Sequence, residues 1–463
     1  MTRWRRENMI PEEKASCAKG GFCPLQGAEG KDFFMTEGIP TRQDLESRFR
    51  LVSTPITFGP GAVDEAGWEL KQLDVRRVMI VTDPGVAGAG IAEKVLQTIE
   101  SQNIECEVFD RVGVEPSLAS MQEAADFAAE GGFDGFVGVG GGSSLDTAKV
   151  ANLVATHPAP VADYIYPPIG EGRKPPSPLR PLLAIPTTAG TGSEATTIAA
   201  LDLPDLKTKA AISHRFLRPD HGIVDPLLTR SMPPDVTASC GLDVACHAVE
   251  SFTAKPFHER PAPETPEQRP PFQGSNPISD IWASTALEYA GTYLRRAVAD
   301  GDDVEARGHM MLGASIAGIG FGSAGTAIPH ACSYPIASLK HDFKSPGYPE
   351  DPFVPHGFAV IVTAPAAFRF TYPANPEKHR LAAELLTGKP VPAADEDALP
   401  NALLELMKDI GAPSGLRELG YDEGDVDALA EGALKQQRQL TIAPREAGHA
   451  ELAAIFRESL DNF

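Results

Sequence analysis

The sequence predicts an α/β domain with a parallel sheet, followed by an all-helical domain. Between Thr54 and about Asp235, short apolar runs alternate with segments of helical spacing, which is typical of βαβ units. After Pro233 and Pro234, helical spacing prevails and no run is convincingly strand-like. The chain has 463 residues, more than one hydrophobic core usually supports, so two or three domains are expected.

The α/β part can be followed element by element. Apolar runs at 75–83 and 105–112 predict strands, and the segments at 91–102 and 121–132 predict the helices that follow them. Residues 133–156 then predict a strand, a glycine turn and a helix. Such units form a parallel sheet, whose ligands bind at the carboxyl ends of its strands.

Helical spacing continues through the second part, at 241–255, 278–297, 303–320, 380–387, 399–410 and 423–435. A proline-rich insert at 256–276 interrupts it and cannot be helical, because it lacks enough backbone donors. The predicted division is therefore a tail of uncertain structure at 1–50, an α/β domain at 51–234, and a helical domain at 235–463.

Composition narrows the possible partners and location. The charge of −22 disfavours nucleic acid and anionic membranes, and 42% hydrophobic residues suit a globular chain. Six cysteines are too few for a disulfide framework, and the spacing of Cys17 and Cys23 fits no strong zinc pattern. The N-terminus lacks a clear transit peptide, so we expect a cytoplasmic protein, or a mitochondrial matrix protein in a eukaryote.

One uncharged stretch, 312–339, is long enough to cross a membrane. Its glycines and the residues Pro329, Pro335 and His330 argue against a membrane span, because lipid would leave backbone groups unpaired. We therefore predict a buried helix followed by a loop.

Two turns could hold a phosphate or a ribose. Gly140, Gly141, Gly142 and Ser143 follow a strand and open a helix, where backbone amides can approach a pyrophosphate. A merely tight turn is the alternative. Asp83 ends the strand at 75–83 and could bind a ribose, although a helix cap is the simpler interpretation. The second turn, 186–194, is rich in hydroxyls, and an uncommitted loop is its alternative.

Asp243 and His247 are four residues apart and therefore share one helical face. His330 and His356 lie in apolar segments, where a histidine is most often a satisfied core residue. If the four side chains converge, three imidazoles and one carboxylate could bind a divalent metal. That donor set suits Fe(II) and Zn about equally.

Three motifs together resemble the iron-containing (group III) alcohol dehydrogenase family: GGGSSLDTAK (140–149), PTTAGTGSEAT (186–196) and GLDVACHAVES (241–251). The resemblance covers about residue 52 to the end and implies a dehydroquinate synthase-like fold. In that fold, 51–234 would be a Rossmann-like dinucleotide-binding domain and 235–463 a metal-binding and substrate domain, with a cleft between them. It implies metal ligands at Asp243, His247, His330 and His356. It also implies NAD-binding positions at Asp83, Gly140, Gly141, Gly142, Ser143, Asp146, Thr187, Thr188, Thr191 and Lys209.

This sequence departs from the family pattern in two ways, and both bear on the expected activity. Tyr334 stands four residues after the third ligand, at a catalytic position where many members carry a histidine, so proton delivery is expected to differ. The insert at 256–276, the longer gap between His330 and His356, and the segments 273–283, 318–325 and 333–336 resemble the hydroxyacid-oxoacid transhydrogenase branch. That branch transfers hydride from 4-hydroxybutyrate to 2-oxoglutarate through retained NAD.

The resemblance thus implies a hydroxy acid and an oxo acid as substrates. Arg215, Arg260 and Arg269 are candidates for binding a substrate carboxylate, with a solvated surface position as the alternative for each. An ordinary alcohol dehydrogenase that releases its NAD, a dehydroquinate synthase-like lyase and a non-enzymatic scaffold are the competing hypotheses. The oligomeric state, a homo-oligomer included, is left open.

Overall fold

The computed structural model describes residues 44–167, 169–340, 342–349 and 352–463. Most of the predicted tail at 1–50 therefore lies outside the described residues, and so do Cys17 and Cys23.

A six-stranded parallel sheet organises the first part of the chain, in the order β1-β8-β5-β4-β2-β3. Its strands are β1 (Ile56–Phe58), β2 (Arg77–Val81), β3 (Glu105–Phe109), β4 (Gly135–Gly140), β5 (Leu182–Pro186) and β8 (His221–Val224). The predicted strands at 75–83 and 105–112 are confirmed, each slightly shorter than expected. β4 and β5 are buried along their whole length because helices cover the sheet.

The order of the strands creates a crevice. β2 pairs with β3 on one side and with β4 on the other, so the chain reverses its direction of winding at β2. Ligands of parallel sheets bind outside the carboxyl ends of strands at such a reversal. Asp83 and Gly140 lie there, because they follow or end β2 and β4.

Two further strands, β6 (Ile198–Leu203) and β7 (Thr208–Ser213), form an antiparallel pair that the sequence does not predict. A short 3-10 turn at Pro204–Leu206 joins them, and Lys207 follows with a left-handed backbone (φ 46°). This pair carries Lys209, which the resemblance places at the dinucleotide.

Helices make up the rest of the architecture. Those of the α/β part are α1 (Ala66–Gln72), α2 (Pro84–Gly88), α3 (Ile91–Glu100), α4 (Leu118–Gly131), α5 (Gly142–Thr156) and α6 (Val161–Tyr164). The later ones are α7 (Pro234–Thr253), α8 (Pro277–Ala299), α9 (Val304–Ala324), α10 (Ile328–Leu339), α11 (His356–Ile361), α12 (Ala364–Thr371), α13 (Pro376–Thr387), α14 (Ala398–Asp409), α15 (Val426–Leu434), α16 (Gln437–Leu440) and α17 (His449–Glu458). No β-strand follows Val224 within the described residues, so the predicted fold class is confirmed.

The uncharged stretch at 312–339 differs from its prediction. Helix α9 ends at Ala324, but a second helix, α10, replaces the predicted loop although it contains Pro335. Both helices are largely buried. No single described helix is long and apolar enough to cross a membrane, although α9 and α10, bent by 105°, pass that test as a pair.

The proline-rich insert holds the chain segment that begins at Asp44. Within 256–276 the backbone forms only two short 3-10 turns, as the prolines predict. Leu45 bridges Pro261, and Glu46 forms an ion pair with Arg269 (3.0 Å). The insert therefore anchors the start of the described chain.

Close packing of α8 against α13 gives a test of the helical core. At Gly291 of α8, an added Cβ would lie 2.0 Å from the backbone oxygen of Leu386. Because a backbone atom cannot move aside cheaply, Gly291→Ala should reduce the free energy of unfolding by about 1–3 kcal/mol.

Gly308→Ala in α9 is the matched control, since its added Cβ meets Pro226 at an ordinary 3.6 Å. Higher helix propensity should make this variant about 0.5–1 kcal/mol more stable. Urea unfolding of both variants measures the difference, and equal midpoints would contradict the packing described here.

Candidate metal and dinucleotide site

Four predicted ligands meet in the helical part of the fold. Asp243 and His247 lie one turn apart on α7, while His330 is near the start of α10 and His356 begins α11. The Nε2 atoms of His247, His330 and His356 lie 3.6, 3.4 and 3.7 Å from Oδ1 of Asp243. The structure thus brings together residues that are far apart in the sequence.

This cluster fits a divalent metal ion. Bonds of about 2.1 Å in a tetrahedral site place neighbouring ligand atoms about 3.4 Å apart, close to the distances from Oδ1 of Asp243. Asp243, His247 and His330 are nearly inaccessible to solvent. Oδ1 of Asp243 and Nε2 of His330 have no hydrogen-bond partner among the described residues, which is costly for buried polar atoms unless a cation binds them.

Glu250 orients one of these imidazoles. Its Oε2 is hydrogen-bonded to Nδ1 of His330, and its Oε1 accepts the backbone N–H groups of Ala327 (2.8 Å) and His330 (3.1 Å). When a metal ion replaces the proton on Nε2, this hydrogen bond would keep the remaining imidazole proton on Nδ1 and leave the Nε2 lone pair, which faces Asp243, for the metal. Glu250 follows His247 by three residues on α7 and is not among the residues singled out from the sequence.

The charges of the cluster favour a cation. Burial would raise the pKa of the Asp243 carboxyl, but the surrounding imidazoles outweigh it and hold that pKa well below its usual range. Burial lowers the pKa of His247 to about 3. Burial also opposes a charge on His330, yet Glu250 and Asp243 outweigh it and raise that pKa to about 10. Within this cluster, a positive charge is therefore most stable beside the carboxylates of Asp243 and Glu250.

The glycine turn lies at the sheet crevice. Gly140 has φ of 149°, and an added Cβ there would lie 2.5 Å from Oγ of Ser144. Gly141 and Gly142 have little room for a side chain. A Cβ added at Gly141 would lie 3.3 Å from Cγ2 of Thr188, and one added at Gly142 would lie 2.7 Å from Cγ2 of Thr191. The two predicted turns therefore touch each other.

The first turn can accept a phosphate. Helix α5 begins at Gly142, and its N-cap residue Gly141 provides no side-chain cap. The amides of this first turn therefore remain available to an anion, which the helix dipole also favours. Asp83 caps α2 through Val86 N–H (3.0 Å), as its simpler interpretation predicts, and accepts the Ser144 hydroxyl (3.1 Å).

Asp146 ties α5 to the second turn. Its Oδ1 accepts the Ser193 hydroxyl (2.6 Å) and pairs with the buried Lys149 ammonium (3.2 Å), and its Oδ2 accepts the N–H of Ala200 (2.8 Å). Thr187 donates its N–H to the carbonyl of Gly140 (2.9 Å). The second turn is thus a fixed part of the site rather than an uncommitted loop.

A close approach connects this second turn to the helices. Gly192 has φ of 60°, and an added Cβ there would lie 2.7 Å from the backbone oxygen of Ala314 on α9. The buried Glu194 accepts the Ser315 hydroxyl (2.5 Å). Helix α9 is therefore held against the second turn. Lys209 is buried and pairs with Glu115. Burial lowers the pKa of His356, and the charge of Lys209 adds to that shift.

A cavity of about 130 Å³ joins the two halves of the site. Its lining includes His247 and His330 from the predicted metal cluster, Asp146 from α5, and Thr191 and Ser193 from the second turn. A substrate in this cavity would face both groups.

Three arginines proposed from the sequence do not line the described part of this cavity. Arg269 is paired with Glu46, and the backbone carbonyl of Arg260 accepts the N–H of Glu46 (2.8 Å). Arg215 lies over the ring of Phe216. Arg438 and Tyr334 line the cavity instead. Nothing in the local sequence around Arg438 signals this position.

Comparison with known proteins agrees with this geometry. Residues 53–226 match the family profile described as iron-containing alcohol dehydrogenase, and residues 272–460 match the profile of its C-terminal part. The chain belongs to the iron-containing alcohol dehydrogenase family. The roles of the individual site residues remain predictions.

Relatives named "Hydroxyacid-oxoacid transhydrogenase, mitochondrial" are similar over nearly the whole chain. Those of Pongo abelii and Homo sapiens are 42% identical over 427 residues, which is 91% of this chain and 91% of each relative.

Solved structures of the family share the fold. A 1,3-propanediol oxidoreductase is 31% identical with a TM-score of 0.78, over 89% of this chain and all of that one. A sulfoacetaldehyde reductase from Bifidobacterium kashiwanohense, solved with NAD+, is 27% identical with a TM-score of 0.73, over 89% of this chain and 99% of that one.

The hydrogen bonds of Glu250 lead to a test. In Glu250→Gln, the single amide oxygen can keep the two backbone N–H groups, and the NH₂ group then faces Nδ1 of His330. That nitrogen must become an acceptor, which moves the imidazole proton to Nε2, the atom turned towards Asp243. Metal affinity should fall about 10–100-fold, measured by chelator competition.

Ser251→Ala is the matched control, because Ser251 is buried beside Glu250 but its hydroxyl only donates to the carbonyl of Ala248. Its metal affinity should equal that of the unmodified protein. A Glu250→Gln variant that binds metal equally well would contradict the orienting role.

Proposed function

We propose that this chain is a hydroxyacid-oxoacid transhydrogenase, which moves hydride from 4-hydroxybutyrate or a similar hydroxy acid to 2-oxoglutarate through bound NAD. The observation that carries the proposal is the shared cavity, where the imidazoles of His247 and His330 face the turn of Thr191 and Ser193. The 42% identity to relatives of that name supports the choice of substrates.

Asp243, His247, His330 and His356 would hold the divalent metal, Fe(II) or Zn. Such a metal supplies Lewis acidity that lowers the pKa of a coordinated hydroxyl group. The protein fixes the ligands beforehand: Glu250 sets the tautomer of His330, and the ring of Phe321 stacks on His247 at 4.0 Å. Ordering these groups in advance reduces the reorganisation needed during the reaction.

The two turns would hold NAD, whose nicotinamide supplies the hydride acceptor and donor. The amides that begin α5 would bind the pyrophosphate, and Gly140, Gly141 and Gly142 allow it to approach the backbone. Thr187, Thr188, Thr191 and Asp146 would line the nicotinamide side of the site. The apolar walls of the cavity would exclude water from the substrate, which protects the hydride step.

Retention of NAD distinguishes this proposal from its rival. An iron-type alcohol dehydrogenase with the same site would release its cofactor after each half-reaction. A transhydrogenase keeps NAD while one acid leaves and the next enters.

The proposed partners are small hydroxy acids and oxo acids. The relatives are named as mitochondrial, whereas we propose the cytoplasm for this chain, or the mitochondrial matrix in a eukaryotic cell. Light scattering would determine whether it forms the homo-oligomer that the sequence leaves open.

An isotope experiment separates the two activities. The purified holoenzyme is given 4-hydroxybutyrate deuterated at C4 and 2-oxoglutarate, with no added nicotinamide. We expect 2-hydroxyglutarate with deuterium at C2, detected by mass spectrometry, because retained NAD carries the label directly from one acid to the other.

Excess unlabelled NADH is then added as a control. Label in the product should persist if the cofactor stays bound, and it should be diluted away if NAD exchanges. Product formed only with added NAD would favour the alcohol dehydrogenase, and no product under either condition would contradict hydride transfer between these acids.

A further inference from the structure

The cavity contains a cation that the proposed chemistry has not used. Arg438 of α16 is the only arginine or lysine among the described residues that line it. No described carboxylate forms an ion pair with its guanidinium. Asp146, the carboxylate in the same lining, is already paired with Lys149.

Arg438 is held beside the metal cluster through Tyr334. Tyr334 follows His330 by four residues on α10, so the two side chains share one helical face about 5–6 Å apart at their Cβ atoms. Nη2 of Arg438 donates to the Tyr334 hydroxyl (3.4 Å). The cation thus lines the same cavity as a proposed metal ligand, and Tyr334 contacts it from the helix that carries that ligand.

An aromatic ring from the proline-rich insert supports the guanidinium. The Cζ atom of Arg438 lies 4.8 Å from the ring centroid of Phe272, and Phe272 is buried. A guanidinium that packs against a ring keeps N–H groups at its edge, where they can donate two parallel hydrogen bonds. A carboxylate accepts that arrangement with the best geometry.

The two proposed substrates share one chemical feature. In 4-hydroxybutyrate, two methylene groups separate the carboxylate from the carbon that bears the hydroxyl. In 2-oxoglutarate, two methylene groups likewise separate the distal carboxylate from the ketone carbon. One fixed cation can therefore position the reacting carbon of both acids at the same place.

We propose that Arg438 and the Tyr334 hydroxyl form the subsite that binds this carboxylate in both half-reactions. The inference rests on the proposed function and adds its specificity determinant. Phe272 and Phe321, which also line the cavity, would pack against the two methylene groups. The subsite explains why an acidic chain of net charge −22 can select anionic substrates, since the attraction is local.

Substrates that differ only in the carboxylate provide the test. The NAD-reducing half-reaction of the holoenzyme is measured with 4-hydroxybutyrate and with 1-butanol, which has a methyl group in place of the carboxylate. Arg438→Met should lower kcat/KM for 4-hydroxybutyrate about 10–100-fold, mainly through KM, because a charge-assisted pair is lost. For 1-butanol, kcat/KM should stay within about twofold.

Two conservative variants guard against a folding defect. Arg438→Lys keeps the charge but loses the planar fork, so it should recover only part of kcat/KM for 4-hydroxybutyrate. Tyr334→Phe removes one hydrogen bond and should lower that value about 2–10-fold. An equal loss for both substrates in either variant would overturn the subsite and indicate a general structural role.

Arg445→Met is the matched control. The guanidinium of Arg445 also lies over an aromatic ring, 4.2 Å from the centroid of Phe370, but it does not line the cavity. Its kcat/KM for both substrates should equal that of the unmodified enzyme.

Binding of glutarate separates this proposal from the proposed function. Glutarate carries the carboxylate but cannot accept hydride, so a shift in Tm reports binding without turnover. We expect glutarate to raise the Tm of the unmodified holoenzyme and not that of Arg438→Met.

If glutarate behaves in this way but no hydride passes between the two acids, the proposed function fails and the carboxylate subsite stands. If hydride passes but Arg438→Met binds glutarate and turns over 4-hydroxybutyrate normally, the subsite fails and the transhydrogenase stands. Absence of glutarate binding by the unmodified enzyme would also overturn the subsite.

Discussion

The buried carboxylate of Asp243 is the constraint on which the rest of the site depends. An isolated charge in a protein interior costs several kcal/mol unless opposite charge surrounds it. Three imidazoles approach one oxygen of this carboxylate within 3.7 Å, and they come from three different helices. The packing of α7, α10 and α11 therefore determines how well the charge of Asp243 is balanced. A divalent cation at this point would stabilise the arrangement further, because it supplies the missing partner for Oδ1.

A second set of contacts connects the metal cluster to the dinucleotide turns. Helix α9 supplies both Ser315, which donates to Glu194, and the backbone that Gly192 approaches. Phe321, on the same helix, stacks on His247. One helix thus contacts the second turn on one side and a proposed metal ligand on the other. The residues that would hold a metal and those that would hold a nicotinamide therefore line one small cavity.

Much of this arrangement could be predicted because local patterns determine it. Short apolar runs between segments of helical spacing predicted β2 and β3. The spacing of Asp243 and His247 predicted a shared helical face. The convergence of His330 and His356 could not be derived from spacing, since it depends on how α10 and α11 pack. Helix α10 itself was missed because Pro335 suggested a loop. Arg438 was missed because it belongs to the four-residue helix α16 and reaches the cavity only through tertiary packing. Arg260 and Arg269 were candidates for binding a substrate carboxylate, but they do not line the cavity. Their insert packs against the segment around Glu46 instead.

The central claim, that Asp243, His247, His330 and His356 bind one divalent metal, can be tested directly by anomalous diffraction from crystals of the holoenzyme at the absorption edges of iron and zinc. The account predicts one anomalous peak within about 2.0–2.2 Å of the Asp243 carboxylate and of Nε2 of all three histidines. A peak located elsewhere, or bonded to fewer than three of these side chains in a metal-loaded and active enzyme, would contradict it.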